Sequence, residues 1–313
     1  MRKARSAMVS DPTAITVRTH CHSDFNGPWE PFTLAEREKF LELLHSCADF
    51  AEIEIVAFAI HPASFDIVVD TPRQIELSRQ EMLTRLEKVT APAQFELNQR
   101  DLRANDPAAW TRLSARFGNV SAFIKQLKQL VTSSYHRGHG SSGTLWNSRF
   151  NITYVQAGHT SRILSAWLDH AAVRTGETTC ADQDRFSTFG RAVAGDERAR
   201  AMIAKLFEPE DGSQSWMEIA KTYHTFIQAD AVTTRTPRSI NGVPRLTRSQ
   251  LLLTQVPHFR GGLAFGNEAF VENFYQLNSH EFGPRRKRGG HLLAGQNDPN
   301  LWTIRQKTDL RRI

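Results

Sequence analysis

The sequence predicts an α+β fold of the split β-α-β (ferredoxin-like) class: an antiparallel sheet with packed helices, followed by a mostly helical C-terminal extension. Three observations predict it. A capping-box pattern from Thr33 to Glu36 opens an amphipathic helix between a short β-like run and a hairpin. The hairpin lies in AIHPASFDIVVDTP, where two apolar, β-branched runs flank Pro62, Ala63 and Ser64. A further helix, strand and helix then complete the order β-α-β-β-α-β-α.

Residues 14–18 are short and β-like, and the polar stretch 20–31 after them is rich in turn formers. In the first helix Phe40, Leu43, Leu44 and Cys47 recur at helical spacing, to about Phe50. Residues 55–61 and 65–71 are the hairpin strands. Residues 73–118 are charged and weakly periodic, with Pro92 and Pro107 as breakers, and read as a helical insertion. Residues 119–135 carry the stripe Phe123, Leu127, Leu130 and Val131, with Lys125 and Lys128 off it and His136, Arg137 and His139 at a Gly-rich end. Residues 145–155 read as a strand and 161–173 as a helix. Further on, 192–207 and 216–229 are helical, 233–244 is linker-like, and Asn267 caps a helix whose Phe270, Val271 and Phe274 face inward. The expected division is one unit over residues 12–178 and a helical extension with a basic tail over 179–313.

A chain of 313 residues with ordinary apolar content and 19 Phe can bury a core, which excludes a disordered protein. Lys and Arg (39) outnumber Asp and Glu (33), so the net charge is +6. That balance suggests a polyanionic partner, most simply nucleic acid, against the plainer reading of a solvated basic surface. Cys21, Cys47 and Cys180 form no C-x-x-C pair, so neither a disulfide framework nor a thiolate zinc site is indicated, and a reducing cytoplasm fits. The basic start has no apolar stretch of the secretory kind behind it, and no apolar run approaches the roughly 20 residues of a membrane span. A cytoplasmic protein is expected.

Two residues apart on one strand, Ser64 and Asp66 leave on the same face, which is half of a metal-site geometry made from a hydroxyl and a carboxylate. His20 and His22 are also two apart, and with Asp66 they would complete a two-histidine, one-carboxylate set. The run Arg285, Arg286, Lys287 and Arg288 sits in a Gly/Pro frame and is a candidate for phosphate contact.

Several segments resemble one family in order and spacing. They are EREKFLELL, AFAIHPASFDIVVDTP, SAFIKQLKQLVTSSYHRGHGSSGTLWNSRF, AGHTSRILSAWLDHAAVRTG and the tail FGNEAFVENFYQ…FGPRRKRGG. Together they are similar to the REP-associated tyrosine transposases of the HUH single-strand transposase group. The resemblance implies cleavage of single-stranded DNA: two histidines on one strand hold a divalent metal, magnesium or manganese, and a helix-borne tyrosine attacks the phosphate. An amide one helical turn beyond the tyrosine assists at the metal.

Each of those places differs here. The histidine pair is Ser64 and Asp66, the tyrosine is Trp167, and the position four residues on is Ala171. An indole N–H donates only and cannot attack phosphorus. The expectation is therefore a transposase-like protein that binds single-stranded or hairpin DNA with the family's catalytic residues replaced. Phosphate contacts are expected from Lys125, Lys128, Arg137, Arg149, Arg174 and the basic run. Arg149, in the family-like Leu-Trp-x-x-Arg-Phe pattern, makes either such a contact or an internal salt bridge. Ser64 and Asp66 are either remnants in a polar pocket or groups whose hydrogen bonds replaced a metal. Trp167 either fills the tyrosine's space or stacks on a base. The enzyme alternative uses Asp66 with His20 or His22 and a relocated Tyr135 or Tyr154. An RNA-binding module is a third class, disfavoured by the lack of a paired surface-aromatic motif.

Overall fold

The computed structural model describes residues 17–27, 29–70, 77–89, 107–147, 149–207, 214–228, 239–240, 243–244, 256–282, 289–293 and 301–304. Strand β1 (Val17–Asp24) is followed by helix α1 (Leu34–Ala51), whose capping box forms as expected. The Thr33 hydroxyl accepts from the Glu36 N–H, and the Glu36 carboxylate accepts from the Thr33 N–H at 2.8 Å. The hairpin is β2 (Glu54–Ile60) and β3 (Ser64–Asp70). The insertion contributes α2 (Arg79–Val89) and α3 (Pro107–Ser114).

Helix α4 (Val120–His139) starts at an Asn119 cap and stops at Gly140, whose φ of +57° suits glycine. Strand β4 (Asn151–Gln156) is shorter than the pattern predicts. Trp146 lies before the strand in an isolated bridge to Phe25, and its ring joins an aromatic group with Phe25, Phe40 and Phe65. The next helix is broken in two, α5 (His159–Asp169) and α6 (Ala171–Thr175), with His170 at the junction. The His170 amide and its Nδ1 both lie on the Ala166 carbonyl, so ring and backbone share one acceptor there.

The rest comprises α7 (Thr188–Val193), α8 (Glu197–Phe207), α9 (Trp216–Gln228), the small hairpin β5 (Ser239–Ile240) and β6 (Val243–Pro244), α10 (Val256–Gly261) and β7 (Ala264–Gly266). Then come α11 (Glu268–Leu277), β8 (His291–Leu292) and β9 (Trp302–Ile304). Asn267 caps α11 by accepting from the Phe270 N–H at 2.8 Å, as the sequence predicts. Among the described residues, no helix is long and apolar enough to cross a membrane.

The main sheet runs β2-β3-β1-β4-β7-β9-β8. Its first four strands are antiparallel throughout, in the order a split β-α-β arrangement demands. The C-terminal part, besides its helices, adds three strands to this same sheet: β7 pairs in parallel with β4, and β9 and β8 follow.

The two faces of the sheet are covered separately. Cys21, Phe65, Ile67 and Val69 share a core with Leu44 of α1 and Ile124 and Leu127 of α4. On the opposite face Ala57, Ala59 and Val68 pack with Ile163, Trp167 and Leu168 of α5, and with Phe189, Ile203, Tyr223 and Phe259 from the C-terminal helices. Alternation along β1 and β3 therefore sends His20, His22, Ser64 and Asp66 to the α5 side. That is where the site lies.

Candidate nucleic-acid interface around Asp66

Strands β1 and β3 pair with His22 opposite Asp66, so neither histidine needs a loop to reach the carboxylate. Asp66 is fully buried, and both its oxygens are engaged. Oδ1 lies 3.0 Å from His20 Nε2 and 2.9 Å from His22 Nδ1. Oδ2 accepts from His61 Nε2 at 2.9 Å and from the Arg260 guanidinium at 2.7 Å. His22 also reaches outward, with Nε2 2.9 Å from Asp24 Oδ2. Ser64 sits opposite Asp24 in the register, at the mouth of the same row.

Trp167 closes the floor. It is fully buried, stacked on Phe259 at 5.0 Å between centroids, with the His20 ring edge-on at 6.1 Å. Two guanidinium groups lie over the indole, Arg174 at 4.2 Å and Arg260 at 5.6 Å. Arg174 also donates to the Trp167 carbonyl. Behind the helix, Asp169 accepts from the Phe189 N–H at 2.9 Å and from the Tyr223 hydroxyl, and burial pushes its carboxyl up to about 7. Ala171 is buried in α6, past the break at His170.

Electrostatics follow from this crowding. Burial works against ionising Asp66, yet His22 and Arg260, with hydrogen bonds from His20 and His22, hold its carboxyl well below the usual carboxylate range. Burial also works against charging His22, but Asp66 and the hydrogen bond to Asp24 raise it to about 9. Burial brings Arg174 down to about 10, still cationic at neutral pH. Among the described residues, the cations His22, Arg174 and Arg260 thus lie with the carboxylates Asp24 and Asp66.

A pH prediction arises here. A histidine raised from 6.5 to about 9 on folding contributes stability that is complete below the unfolded value and lost as pH climbs through 9. Unfolding free energy should therefore fall by on the order of 2 kcal/mol between about pH 6.5 and 9, in urea titrations across that range. His22→Gln should flatten that decline.

His20, His22 and Asp66, proposed from sequence as a metal set, do come together. They do not fit a metal ion. Both Asp66 oxygens are committed to N–H donors, one of them to a guanidinium that would repel a cation placed beside it. Among the described residues, no group of three or more His, Cys, Asp or Glu is arranged to hold a metal.

Of the expected phosphate contacts among the described residues, Arg174 alone lies at this site. Lys125 and Arg137 are exposed on α4, on the other side of the sheet. Lys128 turns inward from α4, donating to Ser23 Oγ at 2.9 Å and lying over Trp146, and burial lowers it to about 8. Arg149 is exposed just before β4. The basic run Arg285, Arg286, Lys287 and Arg288 lies outside the described residues. Tyr135 donates to the Glu30 carbonyl at 3.0 Å on the α4 side, and Tyr154 packs on Phe274, where burial raises it to about 12. Sequence reasoning missed His61, Asp24 and Arg260. His61 stands five residues before Asp66 in the same hairpin, and that proximity is its signal in the sequence. Arg260 is 194 residues from Asp66, and nothing local marks it.

No family model matches the chain, and no curated protein matches it. Among solved structures it is similar to a REP-associated tyrosine transposase bound to a REP hairpin, at 12% identity and a TM-score of 0.38, over 69% of this chain and 95% of that one. A superposition that loose does not align side chains, so the placement of Asp66 and Trp167 rests on this chain's own register.

Proposed function

We propose that this protein binds single-stranded or hairpin DNA and does not cleave it. The observation that carries the reading is Trp167, fully buried and covered by Arg174 and Arg260 beside the Asp66 cluster. The site is cationic and reachable at its rim, where the Arg260 side chain is 28% exposed and Asp24 is 53% exposed. It presents no phenol: Tyr135, Tyr154, Tyr223 and Tyr275 are each engaged elsewhere. An indole offers neither a nucleophile nor a leaving proton of useful acidity, while guanidinium groups suit phosphate well. The excess of basic residues over the chain supports a polyanion as partner.

The test is a titration of a labelled hairpin oligonucleotide at several salt concentrations, with a covalent-adduct assay in manganese alongside. Affinity should fall steeply with salt, by a log–log slope of roughly 0.7–0.9 for each phosphate contacted. No protein–DNA adduct should form. Salt-independent binding would sink the reading, and an adduct would replace it with that of a nuclease. Competition by a matched RNA hairpin that exceeds the DNA would move the assignment to RNA.

A further inference from the structure

The misfit between the Asp66 cluster and a metal ion has a positive counterpart. Asp66 receives Arg260 where a ligand carboxylate would receive a cation, and the guanidinium is held from two sides. One N–H is committed to Asp66 Oδ2 at 2.7 Å, and its Cζ lies 5.6 Å from the Trp167 ring centroid. Two N–H groups of these stacked side chains have no acceptor among the described residues: Arg260 Nε and Trp167 Nε1, both buried atoms. Buried donors without acceptors are uncommon, and a pair of them on a guanidinium and the indole beneath it suits an anion with several oxygens. Arg174 supplies a second cation over the same indole. Among the described residues, His22, Asp24, Asp66 and Arg174 are the charged groups facing Arg260.

We propose that Arg260 is a built-in cation that holds a phosphate group of the bound strand through its guanidinium fork, so that binding needs no divalent metal. Asp66 acts as the positioning residue that fixes the fork, and Trp167 is its floor. A guanidinium offers five donors in a plane and, with one edge on a carboxylate, keeps others for phosphate oxygens. The inference rests on the nucleic-acid reading above, and the experiment separates the two.

The full chain is titrated with a labelled hairpin oligonucleotide in EDTA and in manganese, as wild type and as Arg260→Gln and Arg260→Lys. In the wild type Kd should agree within about twofold between the two buffers, since no contact depends on metal. Arg260→Gln should weaken binding by about tenfold or more and shorten the log–log salt slope by about 0.7–0.9, the signature of one lost phosphate contact. Arg260→Lys keeps the charge that pairs with Asp66 and should retain the slope while losing part of the affinity. It also serves should the glutamine variant fail to fold. Unchanged Kd and slope in Arg260→Gln, or binding that requires manganese, overturns the inference while leaving DNA binding intact. Should the wild type bind no oligonucleotide, the DNA reading falls, and thermal shift with inorganic pyrophosphate decides this one. Stabilisation of the wild type but not of Arg260→Gln upholds it, and no stabilisation of either overturns it.

Discussion

Replacing Asp66 with alanine is expected to lower the unfolding free energy by about 3–5 kcal/mol, read as a shift of the urea midpoint at constant slope. The size comes from what stays behind. Asp66 is fully buried and touches His20, His22, His61 and Arg260 with two oxygens, so its loss leaves a charged imidazole and a guanidinium without their counter-charge. Water can rescue Arg260, which is 28% exposed, far better than His22, which is 3% exposed. His22 should therefore lose its proton at a lower pH in the variant, and the stability decline between about pH 6.5 and 9 should shrink. Asp66→Asn should fall between the two proteins, since an amide keeps one acceptor oxygen and no charge. Were Asp66→Ala to cost under about 1 kcal/mol, the cluster would not be a buried ion-pair network at all.

Trp167→Ala should cost a comparable amount, about 3–5 kcal/mol, through a different cause. The indole is the largest fully buried side chain, and its removal opens a cavity between α5 and Phe259 that the sheet cannot collapse to fill. It also strips the aromatic surface from beneath Arg174 and Arg260. Trp167→Phe restores most of the apolar volume and should recover more than half of the loss. Because the indole N–H has no acceptor, phenylalanine forfeits no hydrogen bond. Trp167→Tyr puts a phenol at this place, and an adduct assay with manganese should stay blank. Among the described residues around it no set is arranged to hold a metal that would polarise a phosphate, and the hydroxyl would be buried. An adduct would show that a phenol held here can attack a phosphate.

Much of this molecule was legible along the chain. Thr33 with Glu36, and Asn267, announce their helices because a cap is settled by residues within three positions of one another. The hairpin around Pro62 and the same-face relation of Ser64 and Asp66 follow from strand periodicity alone. His20 and His22 are two apart as well, but the chain reads as turn-forming from residue 20, and it is the structure that extends β1 through both. The order of the first four strands follows too, since helix-linked and hairpin-linked strands have few ways to pair.

Other features were decided in three dimensions. The last three strands complete the sheet through pairs of two or three residues, too short to leave a periodic pattern. Lys125, Lys128 and Arg137 read as part of a basic track near the site, but they lie on α4, and the sheet stands between. Whether His20, His22 and Asp66 form a metal site or an ion-pair network depended on a fourth group, Arg260, brought from 194 residues away. Residue types and spacings determine which side chains can meet on one face. Which charge arrives to balance a buried carboxylate is settled by the packing of distant elements, because the cost of burying that charge is met only by a partner within hydrogen-bond reach.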